Sequence, residues 1–301
     1  MKKSMIYSII CLVIIYFTLR VITIFREPAP DKPFFSSLPQ EQILVVAHRG
    51  GSLIFPENTM TAFSGAVSLG AHILEMDVHL TADGIPVVIH DDTVDRTTDG
   101  VGNVNSFTLE ELRRLDAGYR FSPEDQPDTH PFRDSGVTIP TLREVFEAFP
   151  HTPIILEIKE NSFDLTDTVI DLIDEFYRQD LVLMASFHAE ILDYICQKRP
   201  QTATHASEDE VRVFLPAAWL FLEGLIAPGY EAFIVPKSSG RFSVASTRFI
   251  EAAYRRNIFV GVWTINDTHS MRQLIDKGVD ALITDRPDLA LEILKKHSFF
   301  E

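Results

Sequence analysis

Cysteine is scarce in this chain of 301 residues, which contains only Cys11 and Cys196. Cys11 lies in an apolar N-terminal run, and Cys196 follows a helix-like stretch. The two provide no disulfide framework and no Cys-x-x-Cys metal site. Cysteine usage therefore does not distinguish an oxidising from a reducing compartment.

Positive charge is also in short supply. The chain has 27 lysines and arginines against 43 aspartates and glutamates, which gives a formal net charge of −16. This balance argues against broad electrostatic binding to nucleic acid, so no nucleic-acid partner is predicted. An anionic substrate would need a local positive site.

One long apolar run is present, Met5–Phe25, interrupted by a few hydroxyls and by Arg20. A helix of about twenty such residues can cross a bilayer, and an arginine near its end can extend to the interface. We therefore predict a membrane anchor over residues 1–26. A cleaved signal peptide is the main alternative, although no convincing A-x-A site follows the run, and a buried soluble helix is a third.

Charges on either side of this run determine its predicted orientation. Lys2 and Lys3, with the amino terminus, favour an N-inside topology, whereas Arg20, Arg26 and Lys32 weaken that bias. We expect a single-pass membrane protein whose catalytic part faces outward, to the periplasm or the extracellular space.

The next segment, residues 27–40, is rich in Pro, Asp, Lys and Ser, and this composition predicts a semi-extended tether. A globular domain is predicted over residues 41–301. Within it, short β-rich runs alternate with helix-like segments, a pattern typical of α/β folds. The predicted strands are Ile43–Ala47, Ile73–His79, Pro86–His90, Ile154–Ile158, Leu181–Ala185, Thr202–His205, Ala232–Val235, Ile258–Val262 and Ala281–Ile283. The predicted helices are Asn58–Leu69, Leu165–Tyr177, Ala189–Lys198, Glu208–Leu222, Val244–Arg256, Thr268–Lys277 and Pro287–Lys296.

About eight strand–helix units over about 250 residues match a (β/α)8 TIM barrel, in which catalytic groups lie at the C-terminal ends of the strands. Residues 92–140 break the rhythm, with one short helix at Leu109–Leu115, and are interpreted as a small insertion over the barrel mouth. A doubly wound open sheet is the main rival. It would need a nucleotide-binding loop after the first strand, and His48-Arg49-Gly50-Gly51 is neither G-x-G-x-x-G nor a P-loop.

Two of the predicted strands end in histidine, a residue that can move a proton near neutral pH. His48 is followed by Arg49, whose planar guanidinium suits phosphate oxygens. The far side of His90 can be held by Asp91 or Asp92. Two such histidines suit a displacement at phosphorus, in which one takes a proton from the attacking hydroxyl and the other donates one to the leaving oxygen.

Carboxylates form the second element of the candidate site. Glu75 and Asp77 share one parity of a strand, so both are expected to face the barrel interior, where Glu157 can join them. Buried carboxylates need neutralisation, and an all-oxygen ligand set favours Mg²⁺ or Ca²⁺ over zinc. Ion pairing with Arg49 and Lys159 is the alternative, and Lys159 can equally contact a phosphate.

Other residues are weaker candidates. His79 has the inward parity but is interpreted as a neighbour with no direct role. Glu57 is either an additional metal ligand or part of a helix start with Asn58 as the N-cap. Phe187 and Trp263 follow strands and can line the mouth, although packing alone would also explain them.

Eight short segments tie these candidates together. They are AHRGG at Ala47–Gly51, PENT at Pro56–Thr59, EMDVHLTADG at Glu75–Gly84, VIHDDTVDRTTDGVG at Val88–Gly102, IPTLREVF at Ile139–Phe146, LEIK at Leu156–Lys159, WTIN at Trp263–Asn266 and TDRP at Thr284–Pro287. In order and spacing they resemble the glycerophosphodiester phosphodiesterase family, part of the barrel superfamily that includes phosphoinositide-specific phospholipases C. The resemblance covers nearly the whole chain after the tether.

The resemblance implies that His48 and His90 are the general acid and base. It also makes Glu57 a neighbour or occasional ligand of the metal and Trp263 a residue lining the site. In the family, a glycerol hydroxyl is thought to attack phosphorus, giving a cyclic phosphate that water opens to glycerol 3-phosphate and an alcohol.

The same resemblance implies a divalent cation and a phosphate site. Glu75, Asp77 and Glu157 would hold the metal, and Arg49 and Lys159 would contact the phosphate. None of these positions departs from the family motif.

The predicted function is therefore metal-dependent hydrolysis of glycerophosphodiesters by a phosphoric diester hydrolase. One alternative is lysophospholipase D-type hydrolysis of membrane-derived lysophospholipids. Another is a non-catalytic phosphate-ligand-binding membrane protein, which would be marked by loss of a catalytic histidine or metal carboxylate. The apolar stretch Ala218–Tyr230 is either a buried helix or a surface that rests on lipid.

Overall fold

The structure, a computed structural model, describes residues 2–40 and 42–297. The predicted domain boundary at residue 41 and the last four residues lie outside this range. Eleven strands are assigned within these ranges: β1 Leu44–Ala47, β2 Ile73–Leu80, β3 Pro86–Val88, β4 Ile154–Ile158, β5 Val182–Ala185, β6 Ala203–Thr204, β7 Ala232–Pro236, β8 Ser238–Ser239, β9 Phe242–Ser243, β10 Phe259–Trp263 and β11 Ala281–Thr284.

Eight of these strands form a parallel barrel. The hydrogen-bonded order is β6-β5-β4-β2-β1-β11-β10-β7, and a parallel bridge between His205 and Ala232 joins the two ends. The predicted (β/α)8 barrel is confirmed. β3 is not one of the barrel strands, because it pairs antiparallel with β2, opposite Val78–Leu80.

Eleven α-helices are assigned among the described residues, and most of those that follow a barrel strand pack on the outside of the barrel. They are α1 Lys2–Ile24, α2 Pro33–Ser36, α3 Met60–Leu69, α4 Leu109–Leu112, α5 Leu142–Ala148, α6 Phe163–Glu175, α7 Ala189–Lys198, α8 Glu208–Trp219, α9 Thr247–Arg255, α10 Thr268–Asp276 and α11 Pro287–His297. α5 is absent from the predicted helices, although Thr141 and Glu144 have the spacing of a capping box. The Thr141 side chain accepts from the Glu144 backbone N–H, and the Glu144 carboxylate accepts from the Thr141 backbone N–H.

Residues 92–140 follow β3 and pack around a small apolar cluster of their own, to which Val94, Val104, Leu112 and Ile139 belong. The cluster also contains Val87 of β3, which attaches the insertion to the β2–β3 hairpin. The insertion therefore starts beside the strand ends that carry the candidate site.

α1 is the only long apolar helix among the described residues. Its segment Ser4–Ile24 has 21 residues and a mean hydropathy of 2.3, and its most apolar stretch is not buried by the rest of the chain. By length and composition it can cross a membrane, and a signal sequence near an N-terminus would have the same properties.

Residues 27–40 differ from the predicted semi-extended tether. They contain the helical turn α2, and Phe34 and Leu38 are buried with Leu44 and Ile73 inside the barrel. This apolar pair closes the barrel end opposite the candidate site. The proline-rich composition predicted an extended segment. Burial of two apolar side chains, Phe34 and Leu38, is nevertheless enough to hold it against the open end of the barrel.

Candidate active site

The C-terminal ends of the barrel strands surround a pocket of about 170 Å³. Every residue predicted for the site lines it except Glu57, which lies just behind. The predicted residues in the lining are His48, Arg49, Glu75, Asp77, His90, Glu157, Lys159, Phe187 and Trp263. Strands that are distant in sequence thus bring together acids, bases and cations in one place.

A strained turn after β1 presents the first pair. Arg49 has φ 52°, and Gly50 and Gly51 follow with φ of 81° and 98°. A Cβ on Gly50 would lie 2.6 Å from the Ala62 Cβ, so only glycine fits this turn against α3. The turn aims the Arg49 backbone N–H at Glu75 Oε2, 2.7 Å away.

His48 is held by a carboxylate that the sequence reasoning did not assign. Its Nδ1 lies 2.6 Å from Asp285 Oδ1, just after β11, while Asp285 also accepts from Ser52 and Asn266. Burial opposes protonation of His48, but Glu75 and Asp285 outweigh it and raise the pKa of the imidazole. Burial likewise opposes ionisation of Asp285, yet the bond to His48 lowers its pKa. The arrangement leaves Nε2 of His48 on the Glu75 side, 4.0 Å from its Oε2.

Replacing Asp285 with asparagine is expected to lower kcat on the order of 100-fold, because the His48 ring loses the charge that orients it and stabilises its protonated form. The pH profile of kcat should shift at the same time, since the His48 pKa falls. Asp285→Glu should recover part of the activity. An unchanged pH profile with normal kcat would show that Asp285 only supports the fold.

His90 has a partner of the same kind. Its Nδ1 lies 2.7 Å from Asp91 Oδ1, so of the two predicted partners Asp91 holds the ring, while the Asp92 side chain is exposed. Burial opposes ionisation of Asp91, but hydrogen bonds from Arg96 and His90 lower its pKa to about 2. Asp91 is therefore an anion at any physiological pH.

Arg96 connects this pair to the other side of the site. Its Nε donates to Asp91 Oδ2 at 2.7 Å, and its Nη1 donates to Glu57 Oε2 at 2.7 Å. Glu57 in turn accepts from Arg49 Nη1 at 3.0 Å. Glu57 is thus a bridge between two guanidiniums, and it lies outside the carboxylate group described next.

Glu75, Asp77 and Glu157 form that group: they offer oxygen atoms that all lie within 4.8 Å of one another. Glu75 and Asp77 are only 6% and 1% exposed. Burial and the Asp77 charge raise the pKa of Glu75 to about 8, and burial and Asp77 also raise that of Glu157. Metal–oxygen distances of about 2.0–2.6 Å match donors at this spacing, so the three residues fit a hard divalent cation.

Two cations, Lys159 and Arg49, border the carboxylates. Ion pairing was predicted as the alternative to metal binding, and the structure contains both the ion pairs and the cluster of three carboxylates. Lys159 Nζ donates to Glu157 Oε1 at 2.7 Å and lies 3.6 Å from Asp77 Oδ1 and 3.2 Å from His90 Nε2. Arg49 Nε lies 3.6 Å from Asp77 Oδ2. Both cations that line the pocket are therefore paired with its carboxylates.

The role predicted for Asn58 was wrong. Thr59 caps α3 instead, with its side chain accepting from the Ala62 N–H, while Asn58 has φ 55° and is buried. The Asn58 amide donates to Asp77 Oδ2 at 2.8 Å and so orients a carboxylate of the cluster. The sequence did not predict this role, because Asn and Thr are both common N-caps and either of the two neighbouring residues could have capped the helix.

His79 and the two aromatics complete the surroundings. His79 contacts Glu160 and the His90 carbonyl and does not line the pocket. Phe187 and Trp263 meet edge to face with centroids 6.4 Å apart, and the Trp263 ring N–H donates to the Ile234 carbonyl at 3.0 Å. One side of the pocket is therefore apolar.

Comparison with known sequences decides the family. The model of the glycerophosphoryl diester phosphodiesterase family matches residues 48–289, which is most of the chain and includes the whole pocket. The chain belongs to that family.

Relatives in this family cover the barrel almost end to end. A glycerophosphodiester phosphodiesterase of Caldanaerobacter subterraneus is 34% identical over 261 residues, which is 84% of this chain and 98% of the relative. The lysophospholipase D GDPD1 of Rattus norvegicus is 30% identical, with coverage of 84% and 86%. The predicted enzyme class, phosphoric diester hydrolase, is confirmed.

Solved structures show the same barrel. A phosphodiesterase of Oleispira antarctica, in complex with the product sn-glycerol-3-phosphate, has a TM-score of 0.68 at 27% identity and covers 87% of this chain, with 98% of its own chain covered. A glycerophosphoryl diester phosphodiesterase from Silicibacter pomeroyi has a TM-score of 0.73 at 20% identity, with coverage of 89% and 98%, and supports the fold alone.

Proposed function

We propose that the protein hydrolyses glycerophosphodiesters to glycerol 3-phosphate and an alcohol, with His48 and His90 as acid and base and with a divalent cation, Mg²⁺ or Ca²⁺. One observation carries this proposal: two histidines, each oriented by its own carboxylate, flank a cluster of three acids in one pocket. Ion pairs that serve stability alone would not require two separately oriented imidazoles.

Glu75, Asp77 and Glu157 would hold the cation. When bound, it would offset part of their negative charge and stabilise charge on the phosphoryl oxygens. The same binding would keep Glu75 ionised, although burial raises its pKa to about 8 in the cluster alone.

The two imidazoles would transfer the protons. Each Nδ1 faces a carboxylate, so Nε2 is the ring atom that would meet the substrate. Nε2 of His90 lies 3.2 Å from Lys159 Nζ, so the substrate would meet the imidazole and the lysine together. One takes the proton of the attacking hydroxyl, and the other donates a proton to the leaving oxygen. Because Asp285 and Asp91 hold the rings, little reorganisation is needed as the charges move.

Arg49 and Lys159 would bind the phosphate. Their charged ends lie on opposite sides of Asp77, 3.6 Å from its two oxygens, so they border the place where a phosphoryl group would meet the carboxylates. Charge-assisted bonds from both would fix its orientation and oppose the charge built up during displacement.

Release of glycerol 3-phosphate from glycerophosphocholine by the purified full chain tests this proposal directly. We expect turnover with Mg²⁺ or Ca²⁺, loss of turnover with chelator, and recovery when the cation returns. The His48→Ala protein, purified in parallel, controls for a contaminating phosphodiesterase. Release of phosphocholine in place of choline would contradict the proposed bond cleavage.

Lysophospholipase D-type hydrolysis is a second candidate, favoured by the rat relative of that name and by the apolar side of the pocket. An acyl chain on the glycerol could lie against Phe187 and Trp263. Comparing kcat/KM for glycerophosphocholine and lysophosphatidylcholine separates the two activities. A preference of at least about 10-fold for the acylated substrate would favour the second.

We further assign α1 as a single-pass membrane anchor with the barrel facing outward. The support is its length, its apolar composition and the exposure of its surface. Protease accessibility of the barrel in intact cells, compared with that in lysed cells, tests the orientation.

A further inference from the structure

A group of large apolar side chains is exposed on the flank of the barrel, at the end of α8 and on the β8–β9 hairpin. We call it the flank surface. Its members and their exposed fractions are Trp219 44%, Leu220 56%, Phe221 44%, Leu225 39% and Phe242 62%. The Trp219 and Phe242 rings lie 6.2 Å apart, so the two segments form one continuous patch. Contiguous apolar groups of this size are unusual on a surface that faces only water.

The flank surface is continuous with the predicted anchor. Tyr16 donates its hydroxyl hydrogen to the Leu220 carbonyl at 3.1 Å, and Arg20 donates to the Phe221 carbonyl. The spacing of these helix residues places them on one face of α1.

One turn further along that face, the contact is close-packed. A Cβ on Gly224 would lie 2.5 Å from the Thr23 carbonyl oxygen, so this position accepts only glycine without displacing the helix. Tyr16, Arg20 and Thr23 of α1 therefore contact residues 220–224 of the barrel flank, and we call this line of contacts the seam.

The seam determines the depth of the flank surface. At a rise of about 1.5 Å per residue, Arg20 and Tyr16 precede the helix end at Ile24 by about 6 and 12 Å. If α1 spans a bilayer, the barrel residues beside those turns lie at the level of the headgroups and the upper acyl chains. Amphipathic protein surfaces bind membranes at this depth, about 5–10 Å into the headgroup and acyl boundary.

Cations support the aromatic part of the surface. The guanidiniums of Arg20 and Arg248 lie 5.1 and 3.9 Å from the Phe221 ring centroid. Glu223, buried under the loop, accepts from Arg248 at 2.7 Å and from Arg255 at 3.0 Å. Aromatic rings with neighbouring arginines suit the interface between water and lipid.

The direction of the seam orients the pocket. Along α1 from Thr23 back to Tyr16, the direction that leads into the bilayer, the contacted barrel residues change from Gly224 to Leu220. Trp219, next to Leu220, contacts Phe242 of the β8–β9 hairpin. That hairpin follows β7 at the pocket end of the barrel. Beyond the C-terminal end of α1, the Ala29 backbone N–H donates to the Arg256 carbonyl. Arg256 follows α9 and lies at the barrel end opposite the pocket.

We propose that the flank surface inserts into the outer lipid monolayer beside α1 and holds the pocket end of the barrel toward the bilayer. This inference rests on the proposed anchor. It makes membrane-derived phosphodiesters, presented from the lipid surface, the substrates to which the pocket has direct access.

Depth-dependent quenching in vesicles tests the proposal with the full chain. Single cysteines are introduced by Ile14→Cys, Leu220→Cys, Phe242→Cys or Tyr177→Cys into a Cys11→Ser, Cys196→Ser background and labelled with a nitrobenzoxadiazole probe. The vesicles are phosphatidylcholine with doxyl-labelled lipid. We expect strong quenching at positions 14, 220 and 242 and none at Tyr177, which is 86% exposed at the end of α6.

Quenching at position 14 without quenching at 220 and 242 would overturn the proposal and leave the anchor intact. Lack of quenching at all three would overturn the anchor and the proposal together. Neither result bears on the proposed hydrolysis, which is measured with glycerophosphocholine in solution.

A functional measurement complements the probe. The double substitution Trp219→Ser and Phe242→Ser should leave turnover of soluble glycerophosphocholine unchanged. It should reduce turnover of a phosphodiester lipid carried in vesicles about 10-fold, because two apolar contacts with the bilayer are lost. Equal loss on both substrates, or no loss on vesicles, would contradict the proposed orientation.

Discussion

Replacing His48 with alanine is expected to lower kcat for glycerophosphocholine hydrolysis by about 10²–10⁴-fold. The ring is oriented by Asp285 and borders the carboxylate cluster, so its removal would delete one of the two proposed proton-transfer groups. Release of glycerol 3-phosphate at saturating substrate measures the effect. KM should change far less, because Arg49 and Lys159, the proposed phosphate ligands, are unchanged.

His269→Ala is the matched control, since His269 is exposed on α10 and its ring contacts the Gln273 side chain. It should keep normal activity. Both variants should melt cooperatively at nearly the same temperature as the parent protein. Near-normal turnover by His48→Ala would remove His48 from the reaction and leave its contact with Asp285 as a structural one.

Removing the divalent cation should abolish turnover, with a loss of at least about 100-fold, and should also lower the melting temperature. Three carboxylates lie within reach of one ion, two of them almost fully buried, so a bound cation would relieve their mutual repulsion. At a free concentration about 100 times the Kd, binding would stabilise the native state by about 2.7 kcal/mol. Thermal melting with chelator, Mg²⁺ or Ca²⁺ measures this independently of activity.

Glu75→Gln should abolish both the activity and the thermal response to cation, whereas Glu147→Gln, at an exposed position on α5, should change neither. A normal cation-dependent melting shift in Glu75→Gln would place the ion elsewhere.

Without cation, pH offers a further check on Glu75. Its folded-state pKa of about 8 exceeds the usual value of 4.5, so its contribution to stability is fully present below pH 4.5. That contribution is lost as the pH rises from 4.5 through 8. The melting temperature of the chelated parent protein should therefore fall relative to Glu75→Gln across that window.

Much of the candidate site was legible because each residue sits at a strand end or shares a strand parity. His48 follows a buried apolar strand, and Glu75 and Asp77 alternate with Leu74 and Met76, which face the helices. Such signals are local. Asp285 and Arg96 lie within the quoted segments TDRP and VIHDDTVDRTTDGVG but received no role. Their partners His48 and Glu57 are 237 and 39 positions away, and strand parity does not connect residues so far apart.

Asn58 and the segment before β1 were misread for a related reason. A short polar residue at a helix start and a proline-rich connection are each explained well by local rules. Both positions instead satisfy groups supplied by other parts of the chain: a buried carboxylate for Asn58, and the open apolar end of the barrel for Phe34.

By itself, the sequence determined most of the order of strands and helices, the apolar character of α1, and the residue types able to hold a cation, bind a phosphate and move protons. These follow from periodicity and side-chain chemistry, which are properties of neighbouring residues. Only the tertiary structure decided which carboxylate orients each histidine, how the N-terminal segment closes the barrel, and where α1 rests on its flank. Those contacts depend on barrel closure, which brings residues hundreds of positions apart within hydrogen-bond distance.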